Sequence, residues 1–170
     1  MEGDVISSFR EFITIDASPE VVWKLVRDIK RHPEFAGPKS ITKLIDFEGE
    51  PFVGSRWIAH ERVGPKKFDA PSEVTALAPH RSLEWLSFPP MKDANRGTGG
   101  KVEWGYLLEA EPAGTRLTHF MKVLEPRKGA GMLKMMYTVF GLQNKQRAAG
   151  LTTLQNIKTT AEREARSVTS

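Results

Sequence analysis

Residues 8–16 set Phe9, Glu11, Ile13 and Ile15 on one side and Arg10, Phe12, Thr14 and Asp16 on the other. That two-residue period predicts a half-buried strand. Phe12 breaks the alternation, so both faces are expected to be partly covered. Ser18 then offers an N-cap oxygen, Pro19 suits the first helical position, and Glu20 suits the positive helix end. Val22, Leu25, Val26 and Ile29 follow at helical spacing, and Pro33 is expected to break that helix, with a second short helix or turn after it. Further strands are predicted over 40–47, 55–63, 66–77, 82–88, 101–110 and 115–124, joined by turns at 48–51, 64–65, 78–81 and 111–114. Pro71 inside the fourth strand marks a bulge or an edge. Residues 89–100 read as a mobile loop at a cavity mouth. From Gly131 to Arg166 the chain has no proline and is predicted as one long helix. The order is strand, two short helices, about six strands, long helix, an α+β arrangement in one domain, residues 1–170. A sheet gripped by a terminal helix encloses a hollow, which favours a ligand container over a catalyst.

The composition agrees with this picture. At 39% hydrophobic and 27% charged residues the chain suits a globular domain with a real core. No apolar run approaches the roughly 18–20 residues a membrane span needs, so no integral membrane association is expected. Met1-Glu2-Gly3-Asp4 is not followed by a signal-type apolar block, so export is not expected and a cytoplasmic location is. Zero cysteines exclude disulfides and thiolate chemistry. The net charge of +4 is unevenly placed. From Lys122 onward nine basic residues face three acids, leaving the rest of the chain at −2. A solvated helix surface accounts for this. No aromatic residues alternate with the basic ones, so nucleic acid is not an expected partner.

Three groups of residues could carry chemistry. Met132, Met136, Phe140, Leu151, Leu154 and Ala161 share one helical face, interrupted by Gln143 and Arg147, with Gly150 just after. They read as core or as cavity wall, with methionine a soft lining for irregular apolar guests. A polar pair on such a stripe needs a partner. That partner is either a ligand's polar end or a sheet acid such as Glu61 or Glu103. On the strands, Val102, Trp104, Tyr106 and Leu108 share one face, as do Leu117, His119, Met121 and Val123. With Trp57 and Trp85 they are candidate lining, or simply core. His119, amid apolar neighbours, is the first candidate base, and His60 the second. His32 and His80 fall in turns and are expected to be exposed.

Metal-ligand spacings, a P-loop, a Gly-x-Gly-x-x-Gly fingerprint and a Gly-x-Ser-x-Gly elbow are all missing from the sequence. Gly97-Thr98-Gly99-Gly100 lacks the lysine and the strand-to-helix setting of a phosphate loop. No metal or cofactor is expected.

Ile15-Asp16-Ala17-Ser18-Pro19-Glu20-Val21-Val22-Trp23 resembles the opening of the START-like, or SRPBCC, superfamily, and more closely its polyketide cyclase/dehydrase branch. Val53-Gly54-Ser55-Arg56-Trp57 agrees. So do Glu73-Val74 with Ala78-Pro79 and Leu83-Glu84-Trp85, and Glu111-Pro112 with Gly114-Thr115-Arg116-Leu117-Thr118. Together these span about residues 9–165. The resemblance implies a helix-grip fold, with a curved seven-stranded antiparallel sheet around a long C-terminal helix and an internal pocket. It implies less about activity, because such scaffolds host unrelated functions. The expectation is a small, mostly hydrophobic, lipid- or polyketide-like ligand. The binding candidates are Trp57, Trp85, Trp104, Tyr106, His119, Met121, Met136, Phe140, Gln143 and Arg147. Alternatives are a cyclase/dehydratase using His119 or His60 as base, and a regulatory module acting through its basic surface. The reading also allows a homodimer.

Overall fold

In the computed structural model the alternating segment becomes strand β1 (Val5–Ile15), and Ser18 ends it by capping helix α1 (Pro19–Val26). The structure describes residues 4–37, 41–45, 47–63, 65–88, 100–126 and 129–168, with only the backbone described at 41–45, 63 and 66. The predicted mobile loop lies, but for Gly100, outside the described residues. Ser18 Oγ accepts a hydrogen bond from the Val21 N–H at 3.4 Å, satisfying one of the orphan donors of the first turn. Val22, Trp23, Leu25 and Val26 are buried. The helix stops at Val26, before Pro33. A 3-10 turn (Ile29–Arg31) leads into α2 (His32–Phe35), and Pro33 sits in the first turn of α2, where its missing N–H costs nothing. The predicted second short helix is α2, and Pro33 stands inside its first turn, the first helix having already ended at Val26.

Six more strands follow: β2 (Ile41–Ile45), β3 (Arg56–Val63), β4 (Lys66–Ala78), β5 (Ser82–Ser87), β6 (Lys101–Glu111) and β7 (Gly114–Leu124). They form one seven-stranded antiparallel sheet in the order β1-β7-β6-β5-β4-β3-β2. Pro71 pairs with Ile58 of β3, and its carbonyl accepts the Phe88 N–H at 2.8 Å, just beyond the end of β5. In an antiparallel strand the N–H and C=O of one residue point the same way. The missing donor of Pro71 thus faces the frayed end of β5 and interrupts no ladder.

The C-terminal segment is two helices, α3 (Ala130–Thr138) and α4 (Leu142–Val168), not one. Gly141, at φ +64°, takes a left-handed conformation, which other residues resist, in the joint between the end of α3 and the start of α4. Among the residues of α4, Gly150, Leu154, Ile157 and Ala161 are buried. Side chains lock α4 to the other elements. Lys158 Nζ donates to the Thr14 carbonyl at 2.7 Å, Glu162 Oε1 accepts the Asp16 N–H at 2.9 Å, and Asn156 Nδ2 donates to the Phe35 carbonyl at 2.9 Å.

Two apolar clusters result. The larger joins Ile15, α1 and the middle of the sheet to Leu154, Ile157 and Ala161. The smaller contains Phe9, Val102, Met121, Val123 and Tyr137, and Trp104 touches both.

Gly150 is the point where β1 and α4 meet most closely. A Cβ there would lie 2.6 Å from two carbons of the Phe9 ring. Alanine would gain at most about 1 kcal/mol of helix propensity. Overpacking a tight contact costs about 1–3 kcal/mol. Gly150→Ala should therefore destabilise the protein by about 1–2 kcal/mol, read as a lower urea midpoint at unchanged slope. A rise in the midpoint would mean that the Phe9 ring yields freely.

Candidate interior binding site

Strand register builds the site. Antiparallel pairing sets Trp85 opposite Trp104 and Trp104 opposite Met121. One step along, Leu83 faces Tyr106, Tyr106 faces His119, and His119 faces Glu11. Side chains on one face of neighbouring strands touch, so the rings form a continuous aromatic ladder. Centroid separations are 6.4 Å for Trp57–Trp85, 6.4 Å for Trp85–Trp104, 5.8 Å for Trp104–His119 and 4.6 Å for Tyr106–His119. The last three pairs are near parallel or shallow, at 10°, 17° and 21°. Phe9 of β1 meets the His119 ring edge-on at 5.5 Å. Trp57, Trp85, Tyr106, His119 and Met121 are buried, and Trp104 is partly buried, so this predicted group is brought together.

A residue expected to be exposed completes it. His32 is buried, its ring 5.4 Å from Trp85 and 5.8 Å from Tyr106. The 3-10 turn and α2 carry it under the sheet, which a turn-like sequence around Pro33 does not reveal. Its Nε2 lies 2.7 Å from the Val26 carbonyl, and His119 Nδ1 lies 3.0 Å from the Gly105 carbonyl. A carbonyl oxygen only accepts, so each of these nitrogens carries the proton. The second nitrogen of each neutral ring, Nδ1 of His32 and Nε2 of His119, is left as a lone-pair acceptor. Burial pushes both imidazoles down, His119 to about 4, and the nearby His32 ring further disfavours charge on His119. Burial also pushes the Tyr106 phenol up, keeping it a neutral donor.

A second polar group gathers toward α3. Glu61 follows Trp57 and Ala59 on the inner face of β3, and burial raises its carboxyl to about 7. It acts electrostatically on Tyr137 of α3, whose raised phenol is chiefly a burial effect and which the Gln146 amide also bonds. Gln146 Oε1 is buried without a hydrogen-bond partner. The sequence suggests Glu61 only as a neighbour for Gln143 or Arg147. Its two-residue spacing from Trp57 and Ala59 was the available signal.

The remaining predicted residues lie elsewhere. His60 is on the opposite face of β3, where its Nδ1 pairs with Asp69 of β4, so it is no interior base. Met136, Phe140 and Gln143 are exposed. Arg147 pairs with Glu11 rather than Glu61 or Glu103, and Glu103 pairs with Lys122 at 3.1 Å. Two causes explain the shift. The break at Gly141 rotates α3, turning Leu133 and Tyr137 inward in place of Met132 and Met136. In α4 the absent side chain of Gly150 admits Phe9, so the seam runs through Gly150 and turns Leu151 outward with Arg147. His80 is exposed, as expected, beside Trp23 at 6.0 Å. It borders an open groove between α1 and the β4–β5 turn, with Lys24, Arg27 and Glu50, that contains none of the predicted ligand residues.

Among the described residues no group of three or more His, Asp or Glu is placed to hold a metal ion, and no helix is long and apolar enough to cross a membrane.

This is the helix-grip architecture of the START-like polyketide cyclase fold, and solved structures repeat it over nearly the whole chain. The Polyketide_cyc-like protein Cgl2372 from Corynebacterium glutamicum is 27% identical, covering 95% of this chain and 94% of its own, at a TM-score of 0.56. The Zhui aromatase/cyclase from Streptomyces sp. R1128 is 14% identical, with 95% and 96% covered and a TM-score of 0.69. The di-domain ARO/CYC StfQ from the steffimycin biosynthetic pathway is also 14% identical; the match covers 95% of this chain and 52% of that one, at 0.68. No protein-family model matches the sequence, and no curated protein matches it significantly. Nothing in these findings supports the homodimer.

Proposed function

We propose that residues 1–170 act as one START-like domain that holds a small, mostly hydrophobic molecule between the concave sheet face and helices α3 and α4. The guest is lipid- or polyketide-like and carries at least one hydroxyl. The observation that supports this most is the ladder Trp57–Trp85–Trp104–His119–Tyr106, which offers apolar ring surface beside imidazole lone pairs and a phenol donor. Apolar burial supplies affinity at roughly 25 cal/mol per Å², and a few polar groups set orientation. A ligand hydroxyl would donate to His119 Nε2, while a ligand carbonyl would accept from Tyr106. The cytoplasm, which a cysteine-free chain tolerates, is the setting this reading assumes.

The test is a tryptophan-fluorescence titration with 2-naphthol, a fused-ring phenol, alongside native mass spectrometry of the freshly purified protein. Saturable quenching is expected, and His119→Phe should weaken it by about tenfold, the value of one lost hydrogen bond. Quenching that never saturates, in a protein that carries no co-purified molecule, would remove the container reading.

A second reading is a cyclase/dehydratase in which His119 takes a proton next to a ligand carbonyl. The neutral ring with a lone pair at Nε2 favours it. Its strength does not, because a conjugate acid near 4 makes a weak base, whereas catalytic bases work best near the operating pH. Glu61 does not remedy this, since it acts on Tyr137 and is not among the groups that shift His119. Binding therefore ranks first.

A further inference from the structure

Helix α3 and the two residues that follow it, Val139 and Phe140, leave an apolar face uncovered. Met132, Met135, Met136, Val139 and Phe140 recur at i, i+3, i+4, i+7 and i+8, the spacing of one helical stripe. In a helix packed on a sheet such a stripe faces inward. Here the inner positions belong to Leu133 and Tyr137, and the stripe faces out. Val139 is 73% exposed, Met132 67% and Phe140 63%. Single exposed apolar residues are ordinary, but a contiguous set marks an interaction surface.

The charge around the stripe selects the partner. Between Glu125 and Glu162 the sequence has no acidic residue, while Lys134, Lys145, Arg147 and Lys158 lie in α3 and α4. Lys134 and Arg147 each reach an acid of the sheet side, Glu125 and Glu11, and Lys158 pairs with Glu162 of α4 itself. The helices themselves contribute only positive charge through this stretch. A second copy of the chain would bring like charge against like charge at a symmetric contact. Nucleic acid would match the charge but offer little to methionine and valine side chains. The surface of an anionic bilayer matches both features, taking the apolar stripe at the acyl boundary and the lysines at the headgroups.

We propose that α3 docks this protein reversibly on anionic lipid surfaces, with Met132, Met135, Met136, Val139 and Phe140 entering the interface and Lys134 and Lys145 lying along the headgroups. This docking is independent of whether the interior holds a ligand. It does place the membrane against the helix whose opposite side carries Tyr137.

The experiment is co-sedimentation of the full chain with vesicles of phosphatidylcholine alone and of phosphatidylcholine mixed equally with phosphatidylglycerol. Binding to the anionic vesicles is expected, weakening as salt rises. The double substitution Val139→Ser with Phe140→Ser should reduce it by about tenfold or more, as should Lys134→Glu with Lys145→Glu. Val168→Ser, which removes an even more exposed apolar residue at the far end of α4, should leave it unchanged. Because all these side chains are exposed, the unfolding temperatures should match the parent. Equal binding to neutral vesicles, no binding to either, or an equal loss with Val168→Ser would overturn the proposal. So would a dimer in sedimentation velocity that the Val139/Phe140 variant dissolves, since the stripe would then belong to a second copy. The 2-naphthol titration in solution should be indifferent to the Val139/Phe140 variant, so a failure of docking and a failure of ligand binding are separately visible.

Discussion

Trp85→Ala should lower the unfolding free energy by about 4 kcal/mol, within the 3–5 kcal/mol seen when a large buried ring is truncated. The reason is the position of the ring. Trp85 meets Trp57, Trp104, Tyr106 and His32, drawn from β3, β6 and α2. Its removal unseats four neighbours at once and opens a hole that the rigid sheet cannot close. A typical domain has only about 5–15 kcal/mol to lose, so the variant should unfold at a far lower urea concentration with little change in slope. Trp85→Phe keeps part of the contact and should cost about half as much. In the 2-naphthol titration Trp85→Ala should also weaken binding, because the ladder loses its central rung. A loss below about 1 kcal/mol would show that the neighbours collapse into the gap and that Trp85 is not the centre of the packing.

Acid stability should show two opposed groups on the inner side of the sheet, His119 buried and Glu61 partly buried. His119 falls from 6.5 to about 4 on folding. Between those values the unfolded chain holds a proton that the folded chain refuses, so this stabilisation is full above pH 6.5 and is lost as pH falls toward 4. The gap corresponds to about 3 kcal/mol. His32 acts in the same direction. Glu61 rises from 4.5 to about 7. Between those values the folded chain holds the extra proton, so stability falls as pH rises, again by about 3 kcal/mol at most. The parent should therefore show a shallow dependence between pH 4 and 7. Glu61→Gln should be more stable than the parent at pH 8, by about 2 kcal/mol after allowing for its partial exposure, and should lose stability steeply on acidification. His119→Phe should tilt the balance the other way, so that from pH 4.5 to 7 its stability gains less than the parent's, with Glu61 opposed by His32 alone. Urea midpoints for the three proteins across this range provide the check. Parallel curves would mean that neither group titrates differently in the folded chain.

These two experiments rest on residues of different legibility. The aromatic ladder was readable because a strand's faces alternate with period two whatever surrounds it. Once 101–110 and 115–124 were read as strands, Trp104, Tyr106, His119 and Met121 had to share a side with Val102 and Leu117. Ser18 and Pro19 were equally readable, since capping is decided within one turn. Glu61 obeyed the same alternation, but a carboxylate invites assignment to solvent, and burial is not a local property. His32 defies its sequence context for a related reason. Its neighbours, Arg31 and Pro33, describe a turn truthfully, but whether that turn lies over the sheet depends on Trp85 and Tyr106, more than fifty residues away.

The helices divide along the same line. Composition marked 131–166 as helical, and most of it is. The rotation of each helix about its axis was a separate question. A hydrophobic stripe identifies an amphipathic face without saying what that face meets. Gly141 interrupts the helix, Gly150 admits Phe9, and the stripe expected to close the core faces outward on α3.

The amino-acid sequence by itself determined which segments are strands or helices, where α1 begins and which strand residues lie together, because backbone periodicity and capping act over a few residues. Only the tertiary structure decided that the expected stripe turns outward on α3 and at Leu151 of α4 while Leu154 and Ala161 stay inside, that His32 is buried and Glu61 partly so, and that His60 and Arg147 are spent on pairs with Asp69 and Glu11. Those outcomes depend on contacts between segments remote in the chain, where one missing side chain or one left-handed glycine chooses which face is covered.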